Sequence, residues 1–203
     1  GQTTEGQEYL LLELMAGPTL ERFLNLDEPG KCQQIPNRIS IMLQMARAIH
    51  AVHERKFVHR DICPGNFILS KDLKTCKLFD FGLSIPDDAR YFTTANRSGT
   101  PLSIAPEITR RRPADRRVDI FSFGVTTYML FSGVHPWGVL ESSSREALSY
   151  DTRAATNIRE HIPNLNPRLA AAIHKCLEID PEKRMPSFKN FLAQSGDIKN
   201  ELV

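Results

Sequence analysis

Residues 58 to 66 read Val-His-Arg-Asp-Ile-Cys-Pro-Gly-Asn, Asp80-Phe81-Gly82 stands fourteen residues past Asn66, and Ala105-Pro106-Glu107 follows. This ordered set constrains the fold because two carboxylates and a carboxamide, Asp61, Asp80 and Asn66, act together only if the chain returns to one edge. The residues between supply the means. Positions 67–69 and 76–79 are short apolar runs around the turn-prone Ser70-Lys71-Asp72, which predicts a small hairpin. Taken alone, His-Arg-Asp reads as a solvated loop and Asp-Phe-Gly as a turn; their joint order and spacing point to a shared site.

Around this hairpin the pattern is mainly helical. Tyr9 to Met15 is an apolar run stopped by Ala16-Gly17-Pro18, which predicts a buried strand entering a bend. Thr19 stands where it would cap a short helix through Leu24, and Asp27-Glu28-Pro29-Gly30 reads as a turn. From Asn37, the residues Ile39, Met42, Leu43, Ala46, Ile49 and Val52 recur at helical spacing, predicting an amphipathic helix to about Arg55. Residues 84–97 lack a period and read as a loop. Ile120 to Phe131 is apolar on all sides, so a buried helix is expected, with caps offered by Asp115 to Asp119. Ser142 to Ser144 and the Asn-Pro pairs mark loops, with helices expected near 144–159, 167–178 and 187–193. Asn166-Pro167 is a favourable start for the second of these.

The 203 residues, 41% of them hydrophobic, suffice for one domain with one core. A net charge of +2 argues against broad attraction to nucleic acid or to a membrane surface, so partners must be chosen by local sites. Cys32, Cys63, Cys76 and Cys176 are scattered without a C-x-x-C pair, which suggests neither zinc nor a disulfide framework and fits a cytoplasmic setting. No apolar run approaches the roughly 20 residues of a membrane span. The chain begins with Gly1, so a processed or engineered start is expected.

The three motifs resemble those of eukaryotic-type serine/threonine protein kinases, and the resemblance runs from Tyr9 to about Phe191. It implies a mainly α fold with a small β-hairpin region, the protein-kinase-like C-terminal lobe lacking the N-terminal β lobe. Residues 1–203 would form this lobe, with the hinge at about 13–17, the catalytic loop at 59–66 and the activation segment at 80–107. By the same resemblance Asp61 is the catalytic base, Asn66 and Asp80 hold Mg2+ against ATP, and Thr100 of Gly99-Thr100-Pro101 contacts Asp61. At the nucleotide edge Leu12 would be the gatekeeper, the Glu13 carbonyl and Met15 amide would pair with adenine, and Ile68 would form the floor beneath it. A core role for these four is an equally good reading. The substrate implied is a protein Ser/Thr hydroxyl. Asp119 would brace the catalytic loop, and Arg184 of Asp180-Pro181-Glu182-Lys183-Arg184 would pair with Glu107. Gly133 to Trp137 fits the turn after the buried helix.

The chain also departs from the family. Phe121 replaces a tryptophan, and Cys63 stands where such kinases usually carry a lysine, so it brings no positive charge to the transferring phosphoryl group. A redox-sensitive role for Cys63 competes with that of a small residue beneath the loop. Nothing upstream of Tyr9 supplies a glycine-rich loop, a strand lysine or its helix glutamate, and Lys31, Lys56 and Lys77 fall away from the phosphates, so the isolated lobe is expected to be inactive. The alternative is a truncated or pseudokinase-like module that docks on a partner kinase. Either way an apolar face around Leu10, Leu12, Leu14 and Ile68 would be exposed and would favour a homodimer. Arg60 before Asp61 suits pairing with a phosphate added at Thr93, Thr94 or Ser98, Thr94 first. Arg110, Arg111, Arg112, Arg116 and Arg117 form a basic run that reads as a solvated face or as a site for acidic partners.

Overall fold

The core forms around one helix that is apolar on every side. In a computed structural model, which describes residues 1–24, 37–92, 99–138, 153–196 and 198, residues 118–131 of this helix are all buried. In chain order the helices are α1 (Arg38–Glu54), α2 (Pro106–Thr109), α3 (Arg117–Ser132), α4 (Ile158–His161), α5 (Pro167–Cys176) and α6 (Phe188–Ser195). The strands are β1 (Phe57–Val58), β2 (Phe67–Leu69), β3 (Cys76–Leu78) and β4 (Ile85–Pro86). The central helix α3 packs against α1, α4 and α5, while α6 closes against α1 and α5. Phe123 meets the edges of Phe188 and Phe191 at ring-centroid distances of 5.2 and 4.9 Å. Each such pair adds about 0.5–1.5 kcal/mol beyond burial alone.

Side-chain caps set the starts of α1, α4, α5 and α6, whereas α2 and α3 have none. Asn37 Oδ1 accepts from Ser40 N at 2.9 Å and Asn166 Oδ1 from Arg168 N at 2.9 Å. Such caps each contribute about 1 kcal/mol by satisfying amides that the helix cannot. Arg38 Nη1 donates to Phe131 O at 2.8 Å and so ties the start of α1 to the end of α3.

The expected hairpin is present, with β2 and β3 antiparallel and Phe67 opposite Leu78, Ile68 opposite Lys77 and Leu69 opposite Cys76. Residues 17–19 lie along β2, through a bridge of Thr19 to Ile68 and a bond from Leu69 N to Pro18 O. Gly17 permits that approach, because a Cβ there would stand 2.0 Å from Leu69 O.

Several expectations need correction. Tyr9 to Met15 forms no strand among the described residues, and Leu10 and Leu14 are 85% and 89% exposed. With no ladder to enter, the run cannot bury its leucines. Thr19 precedes a 3-10 turn, Leu20–Phe23, but its side chain makes no capping bond. The stretch read as a loop from 84 contains β4, paired with β1, and a 3-10 turn at Ala89–Tyr91. Two-residue strands show no periodicity in a sequence. Residues 153–157 are not helical, and α4 starts at Ile158; the remainder of the helix expected from 144, the turn at 27–30, Cys32, Lys31 and Ser142 to Ser144 lie outside the described residues. No helix among the described residues is long and apolar enough to cross a membrane.

Candidate active site

The loop after β1 brings three of the singled-out side chains together. Asp61 Oδ1 accepts from Thr100 Oγ1 at 2.8 Å and from Thr100 N at 2.9 Å. Asn66 Nδ2 donates to Asp61 Oδ2 at 2.8 Å and to Asp61 O at 2.7 Å. Both amide hydrogens of Asn66 are thereby committed, and its oxygen is left for other chemistry. Asp80 is brought alongside by the hairpin, since Phe79 N donates to Asn66 O at 3.1 Å. Asp80 itself is exposed, has a left-handed φ of 60° and accepts from Gly82 N at 3.1 Å through Oδ1.

Beneath this cluster lies a buried frame. Asp119, at the start of α3 and fully buried, accepts from His59 N and Arg60 N at 2.8 Å each, one per carboxylate oxygen, and from His53 Nε2 at 2.8 Å. Arg60 is held with φ 69°, a conformation costly for a residue with a Cβ. Burial lowers its guanidinium pKa, against the pull of Asp119. Asp61 N donates to His59 Nδ1 at 3.3 Å, so His59 carries its proton on Nε2, which donates to Phe79 O at 3.3 Å. The His59 ring also meets the edge of Phe81 at 5.0 Å.

The segment bearing Thr100 is fixed from the opposite side. Ser122 Oγ on α3 donates to Ser103 O at 2.7 Å, and His135 Nε2 bonds Leu102 O at 2.9 Å. Gly99, with φ 144°, passes so close to the loop that a Cβ would lie 3.2 Å from Arg60 O. Buried Cys63 has its thiol pKa raised by burial, which its bond with Thr100 partly offsets.

The nucleotide-edge residues are placed less tightly. Ile68 is half-buried on β2, Met15 is half-buried and Glu13 exposed, and the Glu13 carboxylate contacts Lys77 Nζ on β3. No contact joins Glu13 or Met15 to Asp61 among the described residues. Leu12 is exposed. Thr93, Thr94 and Ser98 fall outside the described residues. In the basic run, Arg116 pairs with Asp87 at 3.7 Å and Arg117 with Asp115 at 2.7 Å and Glu182 at 2.6 Å.

Sequence reasoning gave no individual role to His53, Ser122 or His135, although the last two lie within matched motifs; all three are buried polar groups that hold the site from below. A histidine on the otherwise apolar face of α1 was the one available signal for His53.

Residues 2–195 match the protein kinase domain family. The chain belongs to the protein kinase family. Its relatives include the mouse serine/threonine-protein kinase ULK3, 34% identical over 91% of this chain and 38% of that protein. The Arabidopsis thaliana serine/threonine-protein kinase CTR1 is 32% identical over 90% of this chain and 22% of its own length. The calcium/calmodulin-dependent protein kinase type I of Schizosaccharomyces pombe is 32% identical over 87% and 52% respectively. This kinase chain therefore spans between about a fifth and a half of the length of these relatives.

Proposed function

We propose that the chain is the C-terminal catalytic lobe of a serine/threonine protein kinase, which transfers the γ-phosphoryl group of ATP to a protein Ser or Thr hydroxyl. The observation that carries this reading is the bonded set Thr100–Asp61–Asn66, with Asp80 delivered beside it by the hairpin. Asp61 is the group that accepts the proton of the attacking hydroxyl, and Thr100 and Asn66 orient its two oxygens. Such positioned proton transfer contributes about 10²- to 10⁴-fold in rate.

The donor set fits magnesium. The Asn66 carboxamide oxygen and the Asp80 carboxylate are hard oxygen ligands, and the Asn66 nitrogen is already turned to Asp61. When bound, magnesium supplies positive charge against the nucleotide phosphates. On this reading the Glu13 carbonyl and Met15 amide receive the adenine edge and Ile68 lies beneath it. The 203 residues by themselves are inactive, because no glycine-rich loop or strand lysine stands before Tyr9.

The test is calorimetry of ATP with magnesium on this chain and on Asp80→Ala, with phosphorylation of a serine peptide by this chain fused behind the small lobe of a related kinase and by the same fusion carrying Asp61→Asn. Metal-dependent binding lost in Asp80→Ala and transfer lost in Asp61→Asn support the reading. Equal transfer by the fusion with and without Asp61→Asn overturns it.

One observation favours a second reading, a module that docks on another protein. Leu10, Leu11, Leu12 and Leu14 are exposed together, and a groove of about 420 Å³ between α1 and β3 is lined by residues including Val52, Leu78 and Phe81. Apolar patches of this kind mark interaction surfaces. A second copy covering this face would register as a dimer mass in light scattering, and a monomer at high concentration would exclude the homodimer.

A further inference from the structure

The basic run at residues 110–112 is left over once the fold and the site are accounted for. Neighbouring arginines are neutralised, Arg116 by Asp87 and Arg117 by Asp115 and Glu182, and the nearest acid of α2, Glu107, is buried in its pair with Arg184. Arg111 and Arg112 are exposed and have no ion-pair partner among the described residues. Arg110 is half-buried with contacts of its own, and burial and the nearby Arg112 lower its pKa against the pull of Glu107.

The turn that presents these charges is held in shape. Arg110 N bonds Pro106 O at 3.0 Å, Arg111 N bonds Ile108 O at 3.3 Å and Arg112 N bonds Glu107 O at 2.9 Å. Arg111 adopts φ 56°, where glycine or asparagine would sit at less cost. The cations therefore project from a fixed knuckle at the end of α2. The chain from Thr100, bonded to Asp61, to Glu107, whose carbonyl holds Arg112 N at 2.9 Å, spans about 25 Å at most even if fully extended. A peptide of about seven or eight extended residues covers that distance.

We propose that Arg111 and Arg112 form a docking site for an acidic stretch of the protein substrate, lying within about eight residues of the acceptor hydroxyl; this rests on the phosphotransfer reading above. The site pairs exposed guanidinium groups with Asp or Glu carboxylates, so it is weakened by salt over the Debye length of about 10 Å at 0.1 M.

The experiment measures anisotropy of a labelled serine peptide carrying a glutamate block on this chain, next to the same peptide with glutamine in the block. The Arg111→Gln/Arg112→Gln variant is compared with Arg47→Gln, which removes an exposed charge from α1, and circular dichroism checks that each is folded. The expected result is binding of the glutamate peptide alone, weakened about three- to tenfold in the double variant at low salt and unchanged by Arg47→Gln. Three results overturn the proposal: equal binding of both peptides, no loss in the double variant, or a single-stranded oligonucleotide displacing the glutamate peptide from these arginines. Binding needs no phosphate transfer, so its failure is distinct from failure of the kinase reading, which magnesium-dependent ATP binding reports separately.

Discussion

Arg184 and Glu107, 77 residues apart in sequence, are joined by two hydrogen bonds of 2.7 and 3.0 Å and are nearly inaccessible to solvent. The guanidinium also donates to Glu178 O and Arg117 O, and it lies 5.0 Å over the Phe121 ring. The pair thus ties α2, and with it the segment that reaches Asp61, to the start of α3 and to the chain before α6.

Removing one partner leaves the other charge buried and unpaired. Glu107→Ala or Arg184→Ala is expected to cost about 3 to 5 kcal/mol. For a chain of this size that lowers Tm by on the order of 10 °C. Urea unfolding of each single variant checks this, and a loss below about 1 kcal/mol would contradict the buried geometry.

Asp119 offers one oxygen each to His59 N and Arg60 N, so Asp119→Asn must turn an amide N–H toward one of those donors. Leaving a buried donor unsatisfied costs about 1–3 kcal/mol. Exchange of the amide hydrogens at 59–61 is expected to accelerate more than that of the α3 interior. Uniform acceleration would show that Asp119 acts on global stability alone.

His174 accepts from Ile158 N at 3.0 Å through Nε2, which requires that nitrogen to be unprotonated. Burial lowers its pKa from the ordinary 6.5, against the opposing Glu178 carboxylate, and burial likewise lowers His135. A folded pKa below the unfolded one means that the unfolded chain binds protons first as pH falls. The associated stability is fully present above about 6.5 and drains as pH drops from there toward the depressed folded value. Unfolding free energy measured from pH 7.5 to 5 is expected to fall, and less steeply in His174→Gln. An unchanged slope would refute the assignment.

Cys63, Cys76 and Cys176 are buried, and burial pushes their thiols up, that of Cys76 to about 12. Thiolate is the reactive form. Peptide-resolved alkylation at neutral pH is expected to leave these three unmodified until denaturant is added. Rapid labelling of native Cys63 would support a redox role for it.

The sequence by itself determined the family, the central buried helix, the amphipathic α1 and the hairpin between Asn66 and Asp80. Each is written in local order: motif spacing, helical period, or two apolar runs about a turn. It also carried the Glu107 and Arg184 pairing, though only through resemblance, since no local rule joins residues 77 apart. Tertiary structure alone decided the rest. The pairing of β1 with β4 and the hold of His53, Ser122 and His135 on the site depend on long-range packing that no window of residues encodes. The leucines of 10–14 carry the same apolar pattern whether buried or exposed. Burial needs a neighbouring surface, and the described fold places none there, so a run that reads as a buried strand lies open to solvent.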